Sequence, residues 1–234
     1  DEAVFFFYIR LASFIPKRYL FGRKLTHAIQ IITGISVLGL AVGTTALILI
    51  LSVFNGFEGL LTDLFGAFNP DIKVRPTEGK YFKVDSTQLK KIKGIKGVKE
   101  VSVTLEEIAM FDYSGQQDFA TVKGVDDHYL DVNPMDTVLR SGNFKTRGSK
   151  GFYAVAGAGI AYQLGISLQD KLNEIKVYMP KRERVGPLDQ PFRTHFLYPS
   201  GIFSIQQEYD YKYIITHLNF VRELLNAPGQ ASAY

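Results

Sequence analysis

The stretch AIQIITGISVLGLAVGTTALILILSVFNGF, residues 28–57, contains no Asp, Glu, Lys or Arg and divides the chain into two parts that meet different solvents. A bilayer core calls for roughly 20 consecutive apolar residues at helical rise, and this run exceeds that. A secretory signal has an apolar region of only about 7–15 residues and a small-residue cleavage site, whereas this stretch is longer and ends in SVFNGFE. A surface helix of a soluble core shows an apolar stripe opposite a charged face, and no charge interrupts these residues. The reading is a transmembrane helix over 28–57.

The flanks orient it. Arg10, Lys17, Arg18, Arg23 and Lys24 precede the run, while Glu58, Asp63 and Asp71 are the first charges after it. Basic residues near a membrane segment stay on the cytoplasmic side, so the N-terminus is expected in the cytoplasm and residues 58–234 across the membrane. In a Gram-negative cell that means the inner membrane, with the main domain in the periplasm. Residues 1–27, which include VFFFYIRLASFIPKRYLFGRK, mix aromatics with cations as an amphipathic segment at the cytoplasmic interface does. A plain cytosolic anchor fits the same composition, and Pro16 bends or breaks any helix there.

A sequence pI near 9.0 invites a nucleic-acid reading. Residues 1–27, however, hold five Lys or Arg against two acids, and this accounts for most of the net charge of +4. The one later basic cluster, Lys90, Lys91, Lys93, Lys96 and Lys99, follows Asp85 and Ser86 and carries Leu89 and Ile92 at helical spacing. It reads as a capped helix with a solvated face, not as a phosphate-binding surface, which needs cations focused on one site. No nucleic-acid partner is expected. With no cysteine, disulfides cannot hold the outer domain, but a domain of this size buries enough surface without them.

After residue 58 the periodicity switches between strand and helix. Ile72 and Val74 alternate with polar neighbours, as do Val101, Val103 and Leu105, on either side of the lysine-rich helix; the pattern predicts β-α-β. FATVKGV (119–125) and FYAVAG (152–157) read as buried strands, and GAGIAYQLGI (157–166) as a short helix closed by Gly165. Ile175, Val177 and Met179 alternate again. GIFSIQQEYDYKYIITH (201–217) reads as two strands, followed by a helix with Leu218, Val221 and Leu225 on one face and Thr216 as its cap. Together these elements predict an α+β fold. Between two of the strands, PKRERVGPLDQP (180–191) packs three prolines and several charges. An irregular insertion of this kind is functional, or it is an ordinary surface loop.

The sequence lacks the patterns that carry catalysis. It contains no GxxxxGK[ST] phosphate loop, no HExxH and no GxSxG. Gly157 and Gly159 begin a dinucleotide-like turn, but position 162 is tyrosine where the third glycine belongs. Asp126, Asp127, Asp131 and Asp136 miss the calcium-loop spacing and read as solvated turn carboxylates. Neither a catalytic residue nor a metal site is predicted, and the chain is not expected to be an enzyme. In the membrane run, Gly39 and Gly43 form a GxxxG at which another helix can approach closely.

FIPKRYL (14–20) and GISVLGLAVGTTALILILSVFNGFE (34–58) closely resemble the first membrane helix of lipoprotein-releasing ABC permeases, the LolC/LolE family. In that family the helix typically ends in a similar SVMNGFE, matched here by Asn55, Gly56, Phe57 and Glu58. VKGV (122–125), LRSGNF (139–144), AVAGAGIAYQLGI (154–166) and SGIFSIQQEYDYKYIITHL (200–218) resemble the periplasmic core domain that these proteins share with MacB-type transporters in the FtsX-type permease superfamily. The resemblance implies one N-terminal transmembrane helix followed by a MacB-like periplasmic core domain of two mixed α/β subdomains. Permeases of this kind carry further membrane helices after that domain.

The resemblance also implies partners. They are a second permease subunit in a homo- or heterodimer, a cytoplasmic ABC ATPase that binds the ATP and Mg, a lipoprotein cargo drawn from membrane lipid, and a periplasmic lipoprotein carrier. No cofactor is expected in this chain itself. In carrier-recruiting members a β-hairpin hook projects from the periplasmic domain, and the insertion at about 180–193 stands where that hook belongs. Pro187 and Leu188 would form its apolar tip, and Pro180, Arg182, Arg184, Gln190 and Arg193 the remainder of the contact surface. Two alternatives stay open: a MacB-like efflux or mechanotransmission permease, and a single-pass membrane-anchored binding module.

Overall fold

The computed structural model describes residues 27–170, 173–181 and 191–234. Of the cytoplasmic segment expected over residues 1–27, residues 1–26 lie outside the described residues, and His27 opens the long helix. The chain forms two compact units, residues 1–60 and 61–234.

Helix α1 runs from His27 to Phe68, 42 residues, and continues well past Phe57. At about 1.5 Å per residue it is roughly 63 Å long, about twice the thickness of a bilayer core. Within Ile31–Gly59 the most apolar 18-residue stretch has mean hydropathy 2.4, and none of that stretch is buried among the described residues. Ile35, Leu40, Leu49 and Val53 are all exposed, so these apolar side chains find no cover among the described residues. A helix apolar on all sides and left uncovered by protein needs lipid or other helices around it. Ser36 and Thr44 turn their hydroxyls back onto the carbonyls of Ile32 and Leu40, both at 2.9 Å, so neither presents an unsatisfied donor.

Residues 61–234 carry β1 (Phe82–Lys83), α2 (Ser86–Lys93), β2 (Thr104–Tyr113), β3 (Gln116–Val125), α3 (Tyr129–Val132), a 3₁₀ turn (Met135–Val138), β4 (Leu139–Gly142), β5 (Arg147–Gly148) and β6 (Gly151–Gly157). There follow α4 (Ala158–Leu164), β7 (Ile175–Pro180), β8 (Phe192–Phe203), α5 (Gln207–Asp210), β9 (Tyr213–His217), α6 (Leu218–Leu225) and β10 (Gln230–Ala231). The mixed helix and strand content is the α+β fold expected. Asp85 caps α2, accepting from the Thr87 amide at 2.8 Å, and Gly165 closes α4 in the left-handed conformation.

The principal sheet has the order β4-β8-β7-β2-β3-β9-β6-β5, with β6 pairing also to β8. Because β8 pairs antiparallel with β7 along its first half and parallel with β6 along its second, six strands close into a ring. Alternation places successive residues on opposite faces. One face holds Leu105, Phe111, Val122, Ala156, Val177 and Ile214, and is filled by Ile160 and Leu164 of α4 and Phe220 and Leu224 of α6. On the other face a smaller cluster gathers Phe68, Val125, Tyr129, Met135, Val155, Phe203 and Ile215.

The glycines of the family-like segments are sites of close approach. A Cβ on Gly124 would meet Val221 at 2.8 Å, so the lack of a side chain is what brings α6 against β3. A Cβ on Gly157 would stand 2.3 Å from the Asp210 carbonyl oxygen. The dinucleotide-like GAG therefore begins as a packing contact between the end of β6 and α5.

Two expectations are corrected. Ile72 and Val74 do not lie in a strand; the strand before α2 is Phe82–Lys83, although Val74 exchanges backbone hydrogen bonds of 2.9 and 3.0 Å with Tyr234. Thr216 does not cap α6, because its hydroxyl is buried and donates to the Tyr153 carbonyl at 2.8 Å. The cap is His217, whose Nδ1 accepts from the Asn219 amide at 3.2 Å.

Candidate functional site

The expected hook begins and ends on paired strands. β7 and the first half of β8 are in antiparallel register from Ile175↔Leu197 to Pro180↔Phe192, and the Lys181 amide extends the ladder by donating to the Pro191 carbonyl at 2.9 Å. Pro180 supplies no ladder donor, and it is tolerated because it stands at the end of β7, where the Lys181 amide makes the next bond, to Pro191. Arg193 lies opposite Met179. Arg182, Arg184, Pro187, Leu188 and Gln190 lie outside the described residues. Gly39, Gly43, Asn55, Gly56, Phe57 and Glu58 are all on α1 in the other unit, and a Cβ at Gly39 or Gly43 would meet nothing within 4 Å.

From the stem of this hairpin an apolar surface spreads across four strands, and the sequence reading did not anticipate it. On one sheet face, Phe119 of β3 lies opposite Met110 of β2, and Met110 opposite Tyr178 of β7. Tyr178 lies opposite Thr194, which Phe192 and Phe196 of β8 flank on the same face. Phe119 is 66% exposed, Ile108 62%, Phe196 47% and Phe192 45%. Large aromatic side chains are uncommon on open sheet faces, and a contiguous group of them marks an interaction surface. A signal was present in TLEEIAMFDY (104–113), where Ile108, Ala109, Met110 and Phe111 make both faces of one strand apolar.

The same face carries a charged cluster farther along β2 and β3. Lys123 is 3% exposed, with Nζ 4.0 Å from the Phe68 ring centroid and 5.2 Å from that of Tyr129. Its counter-ion is Glu106, at 3.6 Å, which also accepts from Lys73 at 3.1 Å. Burial alone would raise the Glu106 pKa, but the Lys123 and Lys73 ammonium groups outweigh it and hold the carboxyl below its ordinary range. Burial lowers the Lys123 pKa despite Glu106, and pushes the Tyr213 hydroxyl up to about 12. Phe68 also packs against Tyr209 and Tyr213, with ring centroids 4.6 and 4.8 Å away. The cluster thus fixes the last residue of α1 to the sheet that bears the apolar face. It is a structural clamp, in which Glu106 serves both ammonium groups and Lys123 lies against the aromatic rings.

Known proteins match this chain along most of its length. A family model described as the MacB-like periplasmic core domain matches residues 33–178. The chain is 22% identical over 207 residues to the lipoprotein-releasing system transmembrane protein LolC of Buchnera aphidicola subsp. Schizaphis graminum (strain Sg), covering 88% of this chain and 50% of that protein. It is 24% identical over 224 residues to the LolC of Buchnera aphidicola subsp. Acyrthosiphon pisum (strain APS), covering 92% and 53%. The chain therefore spans about half the length of the curated relatives it matches. Among solved structures it aligns with the periplasmic region of MacB from Actinobacillus actinomycetemcomitans at TM-score 0.45 and 9% identity, covering 75% of this chain and 77% of that one. It also aligns with the extracellular domain of the noncanonic ABC-type transporter YknZ from Gram-positive bacteria at TM-score 0.42 and 15% identity, covering 67% and 72%. With more than half of its residues matched by that family model, the chain belongs to the MacB-like periplasmic core domain family.

Proposed function

We propose that this chain is part of the permease subunit of an ABC transporter that takes lipoproteins from the outer leaflet of the inner membrane and passes them to a periplasmic carrier. The observation that carries the reading is the similarity to LolC proteins, which runs through both the membrane-type helix and the outer domain. The N-terminus is then cytoplasmic and residues 58–234 periplasmic. ATP and Mg are bound by a separate ATPase, a division of labour in keeping with a sequence that has no phosphate loop. Such an ATPase has work to do: at about 0.8 kcal/mol per buried CH₂, withdrawing one chain of roughly 16 carbons costs on the order of 12 kcal/mol.

In this reading the hairpin at about 180–193 and the apolar face at its stem receive the carrier. Gly39 and Gly43 let α1 pack against another helix of the permease dimer. The second reading, a MacB-like efflux or mechanotransmission permease, is favoured by the family description itself. Reconstitution of the full-length permease with its ATPase in proteoliposomes separates the two. ATP-dependent transfer of a triacylated lipoprotein to a soluble carrier supports lipoprotein release. ATP turnover that responds to an adaptor protein, with no lipoprotein transferred, favours the second reading and overturns the first.

A further inference from the structure

A recess of about 330 Å³ opens between the segment 73–80 and the stretch Glu106–Ile108 of β2. The ladder between β2 and β7 runs only from Met110 to Asp112, so the sheet is open beside this stretch. The Glu106 and Ile108 amides there donate to Ser232 Oγ and to the Glu107 carboxylate, each at 3.1 Å. With both donors taken, the opening does not invite another strand, and a ligand entering it is held by side chains.

The side chains of the recess leave one cation free. Lys73, Arg75 and Lys80 line it together with Glu106 and Glu107. Glu106 accepts from Lys73 at 3.1 Å and lies 3.6 Å from the buried Lys123, while Glu107 accepts from Lys80 at 3.2 Å and from the Tyr81 hydroxyl. Both carboxylates are thus engaged. The exposed Arg75 guanidinium has no ion-pair or hydrogen-bond partner among the described residues, so the recess carries a surplus positive charge even with Lys123 left out. A guanidinium presents a planar fork of donors that matches two oxygens of a carboxylate or phosphate. The Thr121 hydroxyl in the same wall adds another donor.

The wall of the recess continues into apolar surface. Ile108, which lines it, is 62% exposed and lies opposite Thr121. Phe119, opposite Met110 and 66% exposed, is the diagonal neighbour of Ile108 on the same face, and side chains so placed are within reach of one extended ligand. We infer that the recess binds an anionic lipid, its singly charged oxyanion against Arg75 and its alkyl chain along Ile108, Met110 and Phe119. A zwitterionic head would bring its ammonium group among cations, and a cationic amphiphile would find both carboxylates taken. The inference stands on the recess and its apolar margin and does not rest on the transport reading.

The test is photolabelling of the full-length protein in phosphatidylcholine nanodiscs with dihexanoyl phosphatidylglycerol carrying a diazirine in one chain, used below its micelle concentration, the labelled peptides being mapped by mass spectrometry. The expected result is label on the peptides that contain Ile108 and Phe119. Unlabelled dihexanoyl phosphatidylglycerol should compete at least tenfold better than dihexanoyl phosphatidylcholine, and at least tenfold better than glycerol phosphate, which has the oxyanion without the chains. Arg75→Gln should lower labelling at least fivefold and Ile108→Ser several-fold. Both positions are exposed, so the fold should survive each change, as thermal unfolding checks. Lys90→Gln, on the exposed face of α2, should leave labelling unchanged. Label confined to α1, equal competition by the phosphatidylcholine or by glycerol phosphate, indifference to both Arg75→Gln and Ile108→Ser, or an equal loss in Lys90→Gln would overturn the proposal.

Discussion

Lys123 Nζ stands 4.0 Å from the centroid of the Phe68 ring, so the last residue of the long helix is held by a buried cation and by three aromatic neighbours, Phe203, Tyr209 and Tyr213. A cation–π contact that is largely desolvated contributes about 2 kcal/mol, and the ring adds its apolar burial. Phe68→Ala should therefore destabilise the outer unit by about 3–5 kcal/mol. Phe68→Leu should cost about half as much. Denaturant unfolding followed by tyrosine fluorescence measures both, and a loss below about 1 kcal/mol for the alanine variant would contradict the clamp.

Glu106 and Lys123 should respond unequally to removal. Lys123→Met leaves Glu106 its 3.1 Å partner Lys73 but removes the cation–π contact with Phe68, and should cost about 2 kcal/mol. Glu106→Leu strands the buried ammonium and should cost about 3–5 kcal/mol. Equal losses in the two variants would show that the pair, not the burial of one charge, dominates.

Glu106 also fixes a pH dependence. Its folded pKa is held below the ordinary value by Lys123 and Lys73 acting against burial. The stability it contributes is thus present above the unfolded pKa of about 4.3 and is lost as pH falls through the lower folded value. Wild type should lose stability relative to Glu106→Gln on acidification from about pH 5. For Lys123, whose pKa burial lowers, the sign is opposite: between its folded value and about 10.4 the unfolded chain binds more protons, so stability rises with pH there. Parallel acid-unfolding curves for wild type and Glu106→Gln would contradict the first statement.

Gly157 has φ −63°, a conformation alanine adopts freely, so the whole effect of Gly157→Ala is steric. Its Cβ would lie 2.3 Å from the backbone oxygen of Asp210, which cannot turn aside as a flexible side chain does. A loss of about 1–3 kcal/mol or more is expected, read as a fall in the thermal midpoint. Unchanged stability would mean that the end of β6 and α5 do not meet at this glycine.

Much of this was legible in the sequence, and the boundary has physical causes. The membrane-type helix follows from thirty charge-free residues, and α2 from Asp85 placed before Leu89 and Ile92. β7 follows from the alternation of Ile175, Val177 and Met179, because in each case a local pattern sets the local structure. The cap of α6 was missed by one residue because a distant carbonyl, that of Tyr153, takes the Thr216 hydroxyl. Ile72 and Val74 alternate like a strand, yet of the two only Val74 finds a backbone partner, at the far end of the chain. The apolar face was illegible because it needs the register of four strands to bring Phe119, Met110, Tyr178 and Phe196 together. That Lys123 inside VKGV is buried depends on Glu106, Lys73 and Phe68, all distant in sequence.

Phe119 and Phe196 separate docking from folding. Both side chains are largely exposed, so Phe119→Ser and Phe196→Ser should change stability by no more than about 0.5 kcal/mol, as checked by thermal unfolding. A large loss would mean that these rings belong to the core.

The most direct measurement is the affinity of a soluble periplasmic lipoprotein carrier for the full-length permease complex in nanodiscs, comparing wild type with Leu188→Asp in the hairpin and Phe196→Asp at its stem. Weakening of at least tenfold in each variant, with stability retained, is the predicted result. Carrier binding unchanged in both would contradict the assignment of this face and its hairpin as the docking site.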